Sequence, residues 1–353
     1  MSENTPWSSR LNRLWRSRGQ AGVARYRDEV HRLRKVRFRE GWTNQRWYRI
    51  VINALCPIFG QRAFLFGGND MSKRQVGTLC VFIAAVLYSI GGLCMKVIPW
   101  SGMAINGGRT AIALVVIGAY LALVKHPLRF NRWILLGSLC VFGANLLFSL
   151  ANKMTTAANA IVLQFTAPIF VILFTMIFFH HRPTRLDIGA CVVVFGGIVF
   201  FFVDSLSMGG MAGNVLALVS GVAYGGVFMM NDMPNSDAIS SVFWGDVLSA
   251  VTGLPFLLRE TDFSFVPMAS LIILGVFQVA VAYILLTHGL KTTPPVTASL
   301  VSGIEPVLNP ILVAVFYGEK MGAMALVGAA VVILGVVGYN IMKLRLESST
   351  EVI

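Results

Sequence analysis

Residues 160–168 read AIVLQFTAP and residues 298–306 read ASLVSGIEP. Both segments are apolar, both open on Ala and close on Pro, and they lie 138 positions apart. The same offset carries Gly137, Leu147, Lys153 and Gly197 onto Gly275, Leu285, Lys291 and Gly335, while an offset of 136 carries Gly77, Val86 and Tyr88 onto Gly213, Val222 and Tyr224. A sustained internal match of this kind marks two related halves.

The halves are too apolar for an ordinary soluble domain, which averages about half apolar and a quarter charged residues. Here 56% of residues are apolar and only 13% charged. Most of the net charge of +13 sits in one place, because residues 1–75 hold sixteen Lys and Arg against five Asp and Glu. About twenty apolar residues cross a bilayer as a helix. Runs of that order fall at 76–98, 101–124, 133–151, 156–179, 186–203, 210–230, 238–258, 268–290, 295–316 and 322–342, which predicts an all-α membrane protein with ten transmembrane helices. The seventh run is weakened by Asp246 and several hydroxyls, and the ninth opens on Pro294 and Pro295, which suit a first helical turn.

Five helices per half is an odd number, so the second half is expected to enter the membrane upside down relative to the first, as in carriers built from inverted repeats. Loop charge sets the orientation. With the N-terminus inside, Lys73, Arg74, Lys125, Arg129, Arg132, Arg182, Arg185, Lys291, Lys343 and Arg345 are cytoplasmic, and Lys96, Lys153, Arg259 and Lys320 are not. Ten against four places both termini in the cytoplasm of an inner-membrane protein. The domain reading is a basic extension (1–75), two repeats (76–204 and 205–345) and a short tail (346–353).

The extension has three readings: a basic interfacial helix carrying Val23, Tyr26, Val30, Leu33 and Val36, a disordered segment, or a start codon placed upstream of true initiation at Met71. No nucleic-acid module accompanies its arginines, and no apolar h-region makes it a cleavable signal. The odd set Cys56, Cys80, Cys94, Cys140 and Cys191 reads as packing residues, with neither a disulfide framework nor a metal site, and no cofactor motif is present.

Polar side chains inside hydrocarbon face a water-filled path or a protein partner. On the ninth helix Ser299, Ser302, Glu305 and Asn309 share a sector of about 120°. The sixth repeats the pattern with Ser220, Tyr224 and Asn231. Repeat-equivalent pairs Tyr88 with Tyr224, Asn145 with Tyr283, and Gln164 with Ser302 are the candidate substrate-binding residues, suited to a neutral or zwitterionic solute. Glu305 and Asp246 are the candidate proton-coupling groups, since a desolvated carboxyl exchanges protons readily. His288 is a third candidate, although its place near a helix end also reads as that of an interfacial histidine. Arg109 lies within snorkelling reach of the outer end of its helix and reads as a structural or gating residue. Pro168 and Pro306 interrupt equivalent helices and are candidate hinges.

Asn106-Gly-Gly-Arg109 after Pro99, Thr155-Thr-Ala-Ala-Asn-Ala160 followed by Ala167-Pro168, then Glu305-Pro306 and Gly318-Glu319 ahead of Gly328 and Gly335, resemble the EamA-type branch of the drug/metabolite transporter superfamily over residues 76–342. The resemblance implies a ten-helix carrier of two inverted five-helix repeats, with Glu319 joining the gating candidates. It leaves the substrate open, because that superfamily is similar to exporters of amino acids, nucleosides, cofactors, drugs and sugar conjugates. The first repeat departs from it with His180-His181 opposite Gly318-Glu319, and Asp246 stands opposite Arg109. The function read here is secondary transport, as an exporter of a small metabolite such as an amino acid, with the bilayer as solvent and protons as a candidate coupling ion. A channel or a non-transporting scaffold or sensor is the alternative. No nucleophile with its base, metal cluster or carboxylate pair argues for an enzyme.

Overall fold

The computed structural model describes residues 73–155, 157–180, 182–201, 210–317 and 323–350, and the described residues contain helices and no strand. The helices are α1 (Lys73–Tyr88), α2 (Ile90–Val97), α3 (Gly102–Val124), α4 (Arg132–Met154), α5 (Ala157–Gln164), α6 (Ala167–Phe179), α7 (Arg185–Phe201), α8 (Met211–Phe228) and α9 (Ala238–Leu257). They continue with α10 (Phe265–Ile273), a π-helical segment (Leu274–Val281), α11 (Ala282–Gly289), α12 (Pro295–Val301), a 3-10 turn (Ser302–Ile304), α13 (Glu305–Tyr317) and α14 (Ala323–Thr350). The readings of the basic extension, of Cys56, of His181 and of Glu319 lie outside the described residues.

Among the described residues eight helices are long and apolar enough to cross a membrane: Arg74–Met95, Gly102–Val124, Arg132–Met154, Ala160–Phe179, Met211–Phe228, Ala238–Leu257, Phe265–Gly289 and Leu326–Lys343. The protein is therefore a multi-pass membrane protein. α7, at 17 residues, and the broken helix α12–α13 complete the helical set.

Local chemistry explains where several helices start. Ser101 accepts the Ala104 N–H, Asn131 accepts those of Trp133 and Ile134, and Asp237 accepts that of Ser240, each satisfying donors a first turn leaves open. The breaks are less regular. α5 and α6 part at Phe165–Thr166, and the 3-10 turn ahead of α13 lies at the equivalent place 138 residues on. Pro168 and Pro306 each occupy the first turn of the segment after the break, where a missing N–H costs nothing. They begin new segments rather than kinking continuous helices. Two interruptions have no counterpart in the sequence reading: the turn at Ser89 and the π-helical segment in the eighth run.

Packing follows small residues. α3 crosses α9 where a Cβ on Gly253 would lie 2.4 Å from the Gly107 Cα, so only glycine fits there. The two helices run in opposite senses: Gly107, early in α3, meets Gly253, late in α9, whereas His126 beyond the end of α3 bonds Asp237 at the start of α9. α4 packs on α8 and α1 on α11. Gly77 of α1 sits against Thr292 and Thr293, and Gly213 of α8 against Met154 and Thr155. α7 packs on α14 reciprocally, Gly197 against Val331 and Val332 and Gly335 against Val193 and Val194.

Candidate functional site

Helices from both halves converge on a cluster of buried polar side chains at mid-helix. Its centre is Arg109 on α3, 1% exposed. One guanidinium nitrogen, Nη1, donates to Gln278 Oε1 at 3.1 Å, and Nη2 donates to Asn106 Oδ1 at 3.1 Å, Ser149 Oγ at 3.1 Å and the Asn145 carbonyl at 3.3 Å. Such charge-assisted bonds from a planar fork are strong and directional. They tie α3 to α4 and to the π-helical segment. Arg109 is thus a pinned internal residue, which corrects the snorkelling expectation, and Glu305 is not among its partners.

Around Arg109 lie the aromatic and amide candidates. Tyr283 of α11 donates to Asn145 Oδ1 at 3.4 Å, longer than a well-made O–H···O bond, and its ring meets Tyr88 edge to face at 5.6 Å between centroids. Tyr224 of α8 reaches Glu305 Oε2 at 3.4 Å and packs against Phe165 and Phe228. Glu305 opens α13 and is partly exposed, and its carbonyl accepts from Ser89 at the turn between α1 and α2. Asp246 of α9 is fully buried, within electrostatic range of Arg109, Tyr88 and Tyr283.

Several buried polar atoms here have no hydrogen-bond partner among the described residues: the Tyr88 hydroxyl, Asn106 Nδ2, Arg109 Nε, Asn145 Nδ2, both Asp246 carboxylate oxygens, Ser249 Oγ and Ser302 Oγ. Each unpaired buried group costs about 1–3 kcal/mol, more when charged. Such a concentration of open groups is suited to being completed by water, an ion or a solute.

Of the sequence candidates, Tyr88, Asn145, Tyr224, Tyr283, Ser302, Glu305, Asp246 and Arg109 come together in or around this cluster. Gln164 is buried at the end of α5 against Gly221 of α8 and makes no hydrogen bond to the others, and Pro168 lies beyond the same break. The polar line on the sixth helix is shorter than its spacing predicts. Ser220 bonds its own helix at the Ala217 carbonyl, and Asn231 falls past the end of α8 and donates to the Thr287 carbonyl. On the ninth, Ser299 bonds the Val296 carbonyl and Asn309 packs onto Gly92. His288 is half-buried in the last turn of α11, with its ring bonded to the Ile284 carbonyl at 2.9 Å and 3.4 Å from the Tyr120 hydroxyl.

The sequence reading missed Gln278 and Ser249, and named Asn106 only as part of the motif that ends in Arg109. Gln278 is the only amide in its apolar run, and Ser249 follows Asp246 by three positions, on the same helical face. Those two signals were available.

Polar contacts also tie the helix ends. His126 Nε2 and Asp237 Oδ2 are 2.9 Å apart, and Ser240 bonds the same carboxylate. Burial would raise the Asp237 pKa, but the hydrogen bonds from His126 and Ser240 outweigh it and hold the carboxyl below its ordinary value. At the other end of the α3–α9 pair, Glu260 accepts the Ser101 N–H and Trp100 donates to the Asp262 carbonyl. Asp187, at the start of α7, takes bonds from Tyr339 at 2.8 Å and Lys343 at 2.9 Å, both on α14.

The model of the EamA-like transporter family matches residues 75–203 and again residues 211–341. An uncharacterized transporter of Clostridium kluyveri is 26% identical over 307 residues, spanning 76% of this chain and 94% of that protein. The uncharacterized transporter YyaM of Bacillus subtilis is 24% identical over 247 residues, spanning 65% of this chain and 80% of its own. A solved crystal structure superposes with a TM-score of 0.66 at 18% identity, over 76% of this chain and 98% of that one, and at this identity the likeness bears on fold alone.

Proposed function

We propose that this chain, which belongs to the EamA-like transporter family, is a secondary carrier that exports a small metabolite by alternating access. The buried cluster carries the reading: unpaired donors and acceptors contributed by α1, α3, α4, α9 and the 3-10 turn, enclosed where the halves meet. A channel would need a continuous wet path, whereas an enclosed site holds a solute that both faces reach in turn. Tyr88, Asn145, Tyr224, Tyr283 and Ser302 contact the solute, with Gln164 at the neighbouring break. Glu305, partly exposed beside Tyr224, exchanges the coupling proton, and Asp246 is the second candidate carboxyl. Pro168, Pro306, Arg109 and Glu319 serve the hinge and gate.

The architecture we assign is ten transmembrane helices in two inverted five-helix repeats (76–204 and 205–345), behind a basic extension (1–75) and ahead of a cytoplasmic tail (346–353). Three observations support it. Repeat-equivalent α3 and α9 run in opposite senses. Gly77 and Gly213 pack on Thr293 and Thr155, themselves repeat equivalents. Gly197 and Gly335 exchange equivalent valines. We assign both termini to the cytoplasmic side of the inner membrane, a reading that the loop charge supports.

The test is flux. Amines, amino acids and nucleosides are screened by thermal stabilisation, since a ligand of the folded state raises its apparent stability. Stabilising solutes are then offered to proteoliposomes. A carrier gives saturable uptake with counterflow. Linear flux would make the protein a channel, and no flux of any stabilising solute a scaffold or sensor; either result overturns the proposal.

A further inference from the structure

We infer that Asp246 is the anchor for an ammonium group, and that the solute of this site is a cationic amine. The inference rests on the carrier reading and deepens it.

The first observation is that Asp246 has no partner among the described residues. It is 0% exposed on α9, neither carboxylate oxygen accepts a hydrogen bond, and no cationic nitrogen among the described residues lies within ion-pair distance. A buried carboxylate left this way is among the costliest groups a protein interior can hold. The obvious internal counter-ion is held elsewhere. Both terminal nitrogens of Arg109 donate to Gln278, Asn106, Ser149 and the Asn145 carbonyl, and only its Nε–H is left open. Arg109 tempers the field at Asp246 without supplying a donor to it.

The surroundings match an ammonium group in number and kind. Three N–H donors require three acceptors. Asp246 offers two open oxygens, and Ser249, on the same face of α9 with its hydroxyl unpaired, offers a third. Aromatic rings stand nearby, with Tyr88 and Tyr283 edge to face and both within electrostatic range of Asp246. The negative face of such rings attracts a cation, and their flat surfaces suit the apolar body that carries it.

The charge balance argues the same way. The cluster contains two carboxyls, Asp246 and Glu305, against one guanidinium that is already bonded. A solute carboxylate would have to enter between two like-charged groups to reach the one open Arg109 donor, its Nε–H. A cation meets no such obstacle.

Three probes on one scaffold separate the charge types: tyramine carries only the amine, 3-(4-hydroxyphenyl)propionate only the carboxylate, and tyrosine both. The full-length protein in detergent is titrated with each at neutral pH and its apparent melting temperature followed. Tyramine should raise it saturably, the propionate should leave it unchanged, and tyrosine should do no better than tyramine. Asp246→Asn should weaken tyramine by roughly tenfold or more, the loss expected when one side of a buried charge pair is removed. If that variant fails to fold, the three probes on the wild-type protein decide alone. No stabilisation of wild type by tyramine, tighter binding of the propionate or tyrosine, or undiminished tyramine binding by Asp246→Asn would each overturn the assignment. None of these results touches the carrier reading, which stands or falls on counterflow with whichever solute stabilises the protein.

Discussion

Replacing Arg109 by Met tests whether the buried guanidinium holds the site together. Met keeps much of the apolar stem but removes every donor. Ser149 Oγ and the Asn145 carbonyl stay paired with each other at 2.8 Å, so they lose little. Gln278 Oε1 and Asn106 Oδ1 lose the donor that binds them in this structure. At about 1–3 kcal/mol for each stranded acceptor, the direct loss is about 2–6 kcal/mol. Asp246, which makes no ion pair with Arg109, also loses the positive field that tempers its charge. Relief from burying the guanidinium offsets part of the loss, so we expect a net destabilisation of about 2–4 kcal/mol. The second substitution separates the two contributions. Asp246→Asn in the Arg109→Met background removes the uncompensated charge but leaves the stranded acceptors, and should restore about 1–3 kcal/mol. Equilibrium unfolding of wild type, both single variants and the double variant in mixed micelles gives the coupling. An Arg109→Met variant as stable as wild type would refute the network. Effects that add to within about 0.5 kcal/mol would refute any compensation of Asp246 by Arg109.

Glu305→Gln keeps shape and most hydrogen bonding but not titration, so in proteoliposomes it should preserve solute exchange and abolish flux driven by a pH gradient; unchanged driven flux would reject the proton role. Gly253→Ala should destabilise the bundle by about 1–3 kcal/mol, because its Cβ would lie 2.4 Å from the Gly107 Cα. Gly118→Ala, with nothing within 4 Å of its Cβ, should instead gain up to about 1 kcal/mol of helix propensity, and thermal unfolding of the two variants compares them directly. The Asp237 carboxyl is held below its ordinary pKa, so its stabilising contribution is complete above about pH 4 and is lost as pH falls through the depressed value. Asp237→Asn retains a good N-cap and should flatten that acid limb in stability measured against pH; an unchanged limb would show that the carboxylate contributes nothing. Single cysteines at Arg129 and Lys343 should both be labelled from the cytoplasmic side, and an external signal at either would break the inverted-repeat assignment.

The sequence by itself determined the membrane class, the family and most helix limits, because these depend on local quantities. Apolar length and a capping residue are written in consecutive positions: the run at 101–124 becomes Gly102–Val124 behind the Ser101 cap, and the run at 238–258 becomes Ala238–Leu257 behind Asp237. The 138-residue offset likewise needs only the chain. It also named Arg109, Asp246, Glu305 and three tyrosines, since a polar group in an apolar run stands out without any structure. What the tertiary structure alone decided is which of these groups meet. Arg109 and Gln278 are 169 positions apart, and Tyr224 and Glu305 are 81 apart, joined by contacts that no periodicity encodes. The Ser89 turn and the π-helical segment were equally hidden, because a helix leaves its regular path in response to neighbours pressing on it as well as to its own residues. A side chain's spacing along one helix fixes its face, but only the packing of the other helices fixes what that face touches. That difference separates Ser220, satisfied on its own helix, from Asp246, buried and unpartnered.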